Sequence, residues 1–170
     1  MSAAGKIAEA KAFTISRVLD APRDLVWQAR SQREHFEKWW GPMGCKLEVG
    51  TFDFKPGGII HYAMKMPDGQ TWWGRFVHRE IVEPERMVFV SSFSDEKGGV
   101  ARAPFNPNWP LEILNTMTFT EAGGKTTLAI HAVPLDAIED EQIAFEGMFD
   151  SMRQGFGGTL TQLEGYLKGL

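Results

Sequence analysis

The sequence predicts an α+β chain: one antiparallel sheet of about seven strands beneath a long C-terminal helix. Three observations carry this. From Cys45 to Val133 the apolar residues recur with a period of two, in runs closed by Pro-Gly or Asp-Gly. The runs follow one another through short turns, which makes the sheet antiparallel. From Asp136 onward the period becomes that of a helix, and no other element is large enough to cover the sheet's apolar face.

Each element follows from its residues. Ala12 to Leu19 alternates as a first strand and stops at Asp20-Ala21-Pro22. Proline suits the first position of a helix and Asp24 its first turn; Leu25, Val26 and Ala29 then share one side. A second short helix runs from about Ser31 to Trp40 and ends at Gly41-Pro42. Strands are predicted over Cys45 to Phe54, Ile59 to Met66, Thr71 to Val82 and Met87 to Phe93. A last hairpin joins Leu111 to Thr120 with Thr126 to Val133 around Ala122-Gly123-Gly124. Between them, Ser94 to Pro110 is a long loop with three prolines and two glycines, read as a binding-site cover or a surface excursion. Asp136 with Glu139 resembles a capping box. The stripe Phe145, Phe149, Met152, Phe156, Leu160, Leu163, Leu167 then predicts one amphipathic helix of about 30 residues. Gly155, Gly157 and Gly158 interrupt it, as a bend, a close approach or a break.

Composition narrows the function. The 170 residues fit one domain, expected over 12–170, with residues 1–11 as a flexible segment. Eighteen basic against 22 acidic residues, a net charge of -4, argue against a general nucleic-acid binder. A single cysteine, Cys45, excludes an internal disulfide and fits a reducing compartment. No apolar run approaches the ~20 residues of a membrane span, and the first residues lack the apolar core of a signal peptide. The expectation is a cytoplasmic protein with no membrane insertion.

Motifs of common catalytic sites are missing. There is no G-x-G-x-x-G, H-E-x-x-H, C-x-x-C or G-x-S-x-G. Gly124-Lys125-Thr126 imitates the end of a phosphate-binding loop, but Phe119 occupies the position of the required first glycine, so it reads as a hairpin turn. No cofactor, metal or catalytic set is therefore expected.

Asp68-Gly69 permits a sharper expectation. As a two-residue turn it sets Ala63 opposite Gly74 and His61 opposite Phe76. Ile60, Tyr62, Met64 and Met66 then share a face with Trp73, Arg75 and Val77, the choice for the interior. His61, His78 and Glu80 fall on the other face. They read as a metal or proton-transfer cluster, or as a solvated outer face, which is favoured. A slip of one residue would exchange the faces.

Eight methionines and twelve phenylalanines suit either a plain core or an adaptable apolar pocket. Trp39 and Trp40 are read as anchors of the short helices. Asn115 shares a side with Ile113, Met117 and Phe119, and an inward asparagine needs a partner, which a ligand could supply.

Several motifs in order carry a resemblance. They are Arg17-Val18-Leu19-Asp20-Ala21-Pro22 with Val26-Trp27, Trp40-Gly41-Pro42, and Asp53 followed by Pro56-Gly57-Gly58. Pro67-Asp68-Gly69, Gly74 with Glu80-Ile81, Pro84-Glu85-Arg86, Ser151-Met152 and Gly158-Thr159-Leu160 continue the series. From Phe13 to Leu167 the chain resembles the homologues of the activator of the ninety-kilodalton heat-shock chaperone's ATPase, within the START-like superfamily. The resemblance implies a helix-grip fold: a curved sheet wrapped around the C-terminal helix, with a cavity between them. It implies binding of small hydrophobic or aromatic molecules, and a few relatives are cyclases or aromatases. The expected ligand-binding set is Tyr62, Met64, Trp73, Arg75, Asn115, Met117, Phe149, Met152 and Phe156. The alternatives are a cyclase-like enzyme using His61 or His78 in that cavity, and a chaperone-associated regulator. A monomer or a homodimer fits the sequence, since an uncovered edge strand could pair.

Overall fold

The computed structural model describes residues 11–170, so the flexible segment expected over 1–11 lies, but for Lys11, outside the described residues. The order is β1 (Phe13–Leu19), α1 (Arg23–Ser31), α2 (Arg33–Trp39), β2 (Lys46–Phe52), β3 (Ile59–Lys65), β4 (Thr71–Val82) and β5 (Arg86–Ser94). Then come β6 (Val100–Ala101), β7 (Ile113–Ala122), β8 (Lys125–Pro134), α3 (Glu139–Gly147) and α4 (Phe149–Lys168). The strands form one antiparallel sheet in the order β1-β8-β7-β5-β4-β3-β2, with β6 beside β5. It does not close, and β1 and β2 are its edges. This is the expected helix-grip arrangement, with β6 as a small addition inside the long loop.

Two elements differ from expectation. The C-terminal helix is not continuous: it breaks at Met148, whose backbone (φ -103, ψ 7) leaves the helical path. Met148 N–H donates to Phe145 O at 3.1 Å, a tightened last turn that ends α3. The glycines of α4 do not break it. Gly157 O accepts from Arg17 Nη2 at 3.2 Å and from Thr161 Oγ1 at 2.9 Å, so the helix passes through while Arg17 straps it to β1. Gly155 is exposed with open space where a Cβ would stand. Gly155→Ala should therefore raise stability by about 0.5–1 kcal/mol, read as a higher urea midpoint. The cap of α3 also shifts: Glu141 Oε1 accepts from Ile138 N–H at 3.2 Å, and Asp136 takes a left-handed turn conformation (φ 53) instead.

The second difference is the β3–β4 register. Met66 N–H donates to Gln70 O at 2.8 Å and Gly69 N–H to Met66 O at 3.0 Å, with Gly69 at φ 90. Pro67, Asp68 and Gly69 thus make a three-residue connection ending in a left-handed glycine. Ala63 consequently pairs with Trp73 and His61 with Arg75, not with Gly74 and Phe76. One residue of slip exchanges the faces of β4, so Trp72, Gly74, Phe76 and His78 join Ile60, Tyr62 and Met64 on the concave side. Trp73 and Arg75 go to the convex side.

The helices α1 and α2 close one end of that concave face. Trp27 stands edge-on to Phe119 at 5.0 Å and to Phe54 at 5.9 Å. Trp39 is buried and donates its Nε1–H to Ala29 O at 2.8 Å, the anchoring role expected of it. The Gly41 carbonyl accepts from Thr159 Oγ1 at 2.9 Å and Gln162 Nε2 at 2.7 Å, which ties the Trp-Gly-Pro turn to α4.

Candidate functional site

Cross-strand rows on the concave face explain how a cavity forms. One row sets Tyr62, Gly74 and Phe93 side by side; the next sets Ile60, Phe76, Ser91 and Ile113. Gly74 has no side chain, and the Tyr62 ring leans over it. A Cβ there would lie 2.6 Å from the Tyr62 hydroxyl. Beyond it the small groups Ser91 and Ala132 keep the floor low, while α4 passes above with Ser151, Met152 and Phe156. A cavity of about 270 Å³ remains between sheet and helix.

The walls are chiefly apolar: Trp40, Met64, Phe76, Phe93, Ile113, Met148, Met152 and Phe156. The loop after β6 brings Phe105, Trp109 and Pro110 to the rim. Phe105 stacks on Trp72 (6.0 Å, 24°), and Arg102 holds the loop by donating to Trp109 O at 3.1 Å and pairing with Glu141 at 2.5 Å. Part of the long loop thus reaches the cavity.

A few polar groups interrupt the apolar lining. Asn115 is buried, and its Nδ2 donates to Ser91 Oγ at 2.9 Å and Ile113 O at 3.1 Å. Its carbonyl oxygen accepts no hydrogen bond from the described residues. Tyr62 is the one ionisable residue lining the cavity among the described residues. Burial pushes its phenol up to about 12, against smaller opposing effects of the Trp40 side chain and the Arg30 charge. The described residues that line the cavity therefore carry no charge at neutral pH. A wider hollow of about 570 Å³ beside β1, β7 and β8 is lined by Thr14, Ser16, Thr116, Thr118 and His131. It offers few large apolar groups and suits a hydrophobic ligand less well.

Of the nine expected ligand-binding residues, Tyr62, Met64, Asn115, Met152 and Phe156 line the cavity. Met117 is buried in the core below it, and Phe149 packs against Phe13 and Phe145. Trp73 and Arg75 lie on the convex face, moved there by the register. Trp73 stacks on His61 at 5.3 Å, and Arg75 Nη1 donates to Gly98 O at 2.8 Å. Trp40, Phe76, Phe93 and Trp109 were not anticipated. Phe76 comes inward through the β3–β4 register, and Phe93 beside it through its pairing with Gly74.

The histidine cluster is also dispersed. His61 is on the convex face, with Nε2 at 3.1 Å from Ser94 Oγ and from Asp95 O. His78 is buried on the concave face, beside Phe54 and Phe89, and outside the cavity lining. Glu80 pairs with Arg86 at 2.8 Å. Among the described residues no group of three or more His, Cys, Asp or Glu side chains could hold a metal ion.

His78 has its own pH signature. Its Nδ1–H donates to Gly58 O at 3.2 Å, and burial, reinforced by the Arg30 charge, lowers its pKa from 6.5 to about 4. The Gly58 carbonyl and Asp53 act more weakly the other way. The unfolded chain binds this proton at a higher pH than the folded one. The stabilisation is complete above pH 6.5 and is lost as pH falls through the window to about 4. The expected loss is up to about 3 kcal/mol. His78→Phe should show a flatter dependence when urea unfolding is compared at pH 7 and pH 4.5; an unchanged slope would refute this.

No curated protein matches the chain. Solved structures do. Protein Ms6760 from Mycobacterium smegmatis is 27% identical, with 92% of this chain and 90% of that one aligned at a TM-score of 0.75. A protein from Arthrobacter aurescens is 26% identical, over 95% of this chain and 88% of that one, at 0.78. The AHSA1 protein from Silicibacter pomeroyi shares the fold at 17% identity, over 93% of this chain and 98% of that one, at 0.70. No helix among the described residues is long and apolar enough to cross a membrane. The family model described as "Activator of Hsp90 ATPase homolog 1-like protein" matches residues 20–168, nearly the whole sheet and both C-terminal helices, and the chain belongs to that family.

Proposed function

We propose that residues 12–170 form a single-domain binding protein for a small hydrophobic or aromatic molecule held between the sheet and α4. The observation that carries this is the cavity: about 270 Å³, walled by aromatic rings and methionines, with a few fixed polar groups. Apolar burial supplies affinity in such a site, and a small number of polar groups set orientation. Tyr62, Met64, Asn115, Met152 and Phe156 are the expected contacts, joined by Trp40, Phe76 and Trp109. Binding is favoured over catalysis because Tyr62, the one ionisable group among the described lining residues, is pushed up to about 12, far from the pKa that best serves general acid–base chemistry at neutral pH.

The test is calorimetric titration of the purified protein with two neutral probes, 1-decanol and 2-naphthol. Saturable one-to-one binding of at least one is expected, with a change in the fluorescence of Trp40 and Trp109 at the walls. Absence of binding by both would reject the reading. Native mass spectrometry of the gently purified protein would identify any molecule it carries.

A further inference from the structure

Arg30 is a charge that the described residues leave without a partner. It follows Val26 by four residues, so it lies on the apolar side of α1 and is carried into the core. It is 1% exposed, and its Nε, Nη1 and Nη2 have no hydrogen-bond partner among the described residues. No carboxylate among the described residues forms an ion pair with it. The guanidinium lies 4.8 Å from the Phe89 centroid, 5.1 Å from Phe76 and 5.3 Å from Phe36. Three ring faces attract a cation but accept no conventional hydrogen bond. A buried charge in this state is costly unless another group answers it.

The position of Arg30 suggests that group. Phe76 both lines the cavity and carries the guanidinium. Phe89, under the same guanidinium, stands in register between His78 and Asn115, and Asn115 lines the cavity. Arg30 is thus not in the cavity lining but stands one ring behind it, on the far side of Phe76. His78 does not satisfy it: Nδ1–H is spent on Gly58 O, and Nε2 is itself buried without a partner.

We propose that the ligand is an amphipathic acid, with an apolar body in the cavity and one carboxylate paired with Arg30. This rests on the binding function proposed above and names its ligand class. A carboxylate offers two oxygens to the planar guanidinium fork, the strongest neutralisation available in a site shielded from water. The pairing requires the Phe76 or Tyr62 side chain to turn aside, since these rings stand between the cavity and the guanidinium.

The experiment adds the matching acids, decanoate and 2-naphthoate, to the two neutral probes at pH 7. In the unsubstituted protein at least one acid is expected to bind tenfold or more tightly than its alcohol. Arg30→Met should bind acid and alcohol alike, and should melt at a higher temperature because an unanswered charge has been removed. Arg30→Lys keeps the charge without the fork and should retain part of the preference; it serves if the methionine variant does not fold. Equal affinity for acid and alcohol in the unsubstituted protein overturns the assignment and leaves the cavity reading standing. So does an acid preference that survives in Arg30→Met. Failure of all four probes overturns both.

Discussion

Gly58→Ala is expected to cost about 3 kcal/mol or more of stability, a loss set by backbone crowding. A Cβ at Gly58 would stand 2.1 Å from Asp53 O and 2.9 Å from Lys55 O. Both are main-chain atoms of the same turn and cannot swing aside as a side chain would. The turn is also pinned to β4: Gly57 N–H donates to His78 O at 2.7 Å, and His78 N–H to Gly58 O at 3.0 Å. Gly57→Ala is the control. Gly57 has φ +80 but nothing within 4 Å of its Cβ position, so its cost is the left-handed strain of roughly 1–2 kcal/mol. Urea midpoints should order the proteins as unsubstituted, Gly57→Ala, Gly58→Ala. A Gly58→Ala midpoint equal to that of Gly57→Ala would show that the turn relaxes.

Filling the cavity should remove ligand binding while the fold survives. Ala132→Leu puts a branched side chain on the floor, in the row that joins Asn115 to Phe13. Affinity for 1-decanol and 2-naphthol is expected to fall at least tenfold. Overpacking would cost about 1–3 kcal/mol against the neighbouring Phe13, Trp109 and Phe145. A melting curve that stays cooperative, alongside unchanged affinity, would show that the probes bind elsewhere. The wider hollow beside β1 would then be the next place to look.

Much of this molecule was legible in its residues. Period-two runs closed by glycine and proline located the strands, because a pleated strand alternates its faces and those residues end it. The C-terminal stripe likewise marked a helix over the sheet. That helix is interrupted at Met148 and runs unbroken through the glycines inside α4, the weakest points of its local sequence. The candidate site was only half legible. The β3 residues Tyr62 and Met64 were placed correctly on the concave face, and Trp73 and Arg75 of the partner strand were not.

Local pattern, by itself, determined which segments are strands and helices, their order, and that one antiparallel sheet needs a helical cover. Those properties depend on nearest neighbours along the chain. The tertiary structure decided what the concave face contains. One extra residue in the Pro67-Asp68-Gly69 connection reversed β4, sending Trp73 and Arg75 outward and bringing Phe76 and His78 in. The enclosure of Arg30 is of the same kind. Its spacing from Val26 put an arginine on the inner side of α1, but the rings around it come from α2, β4 and β5. Only the packing of elements distant in sequence could bury that charge.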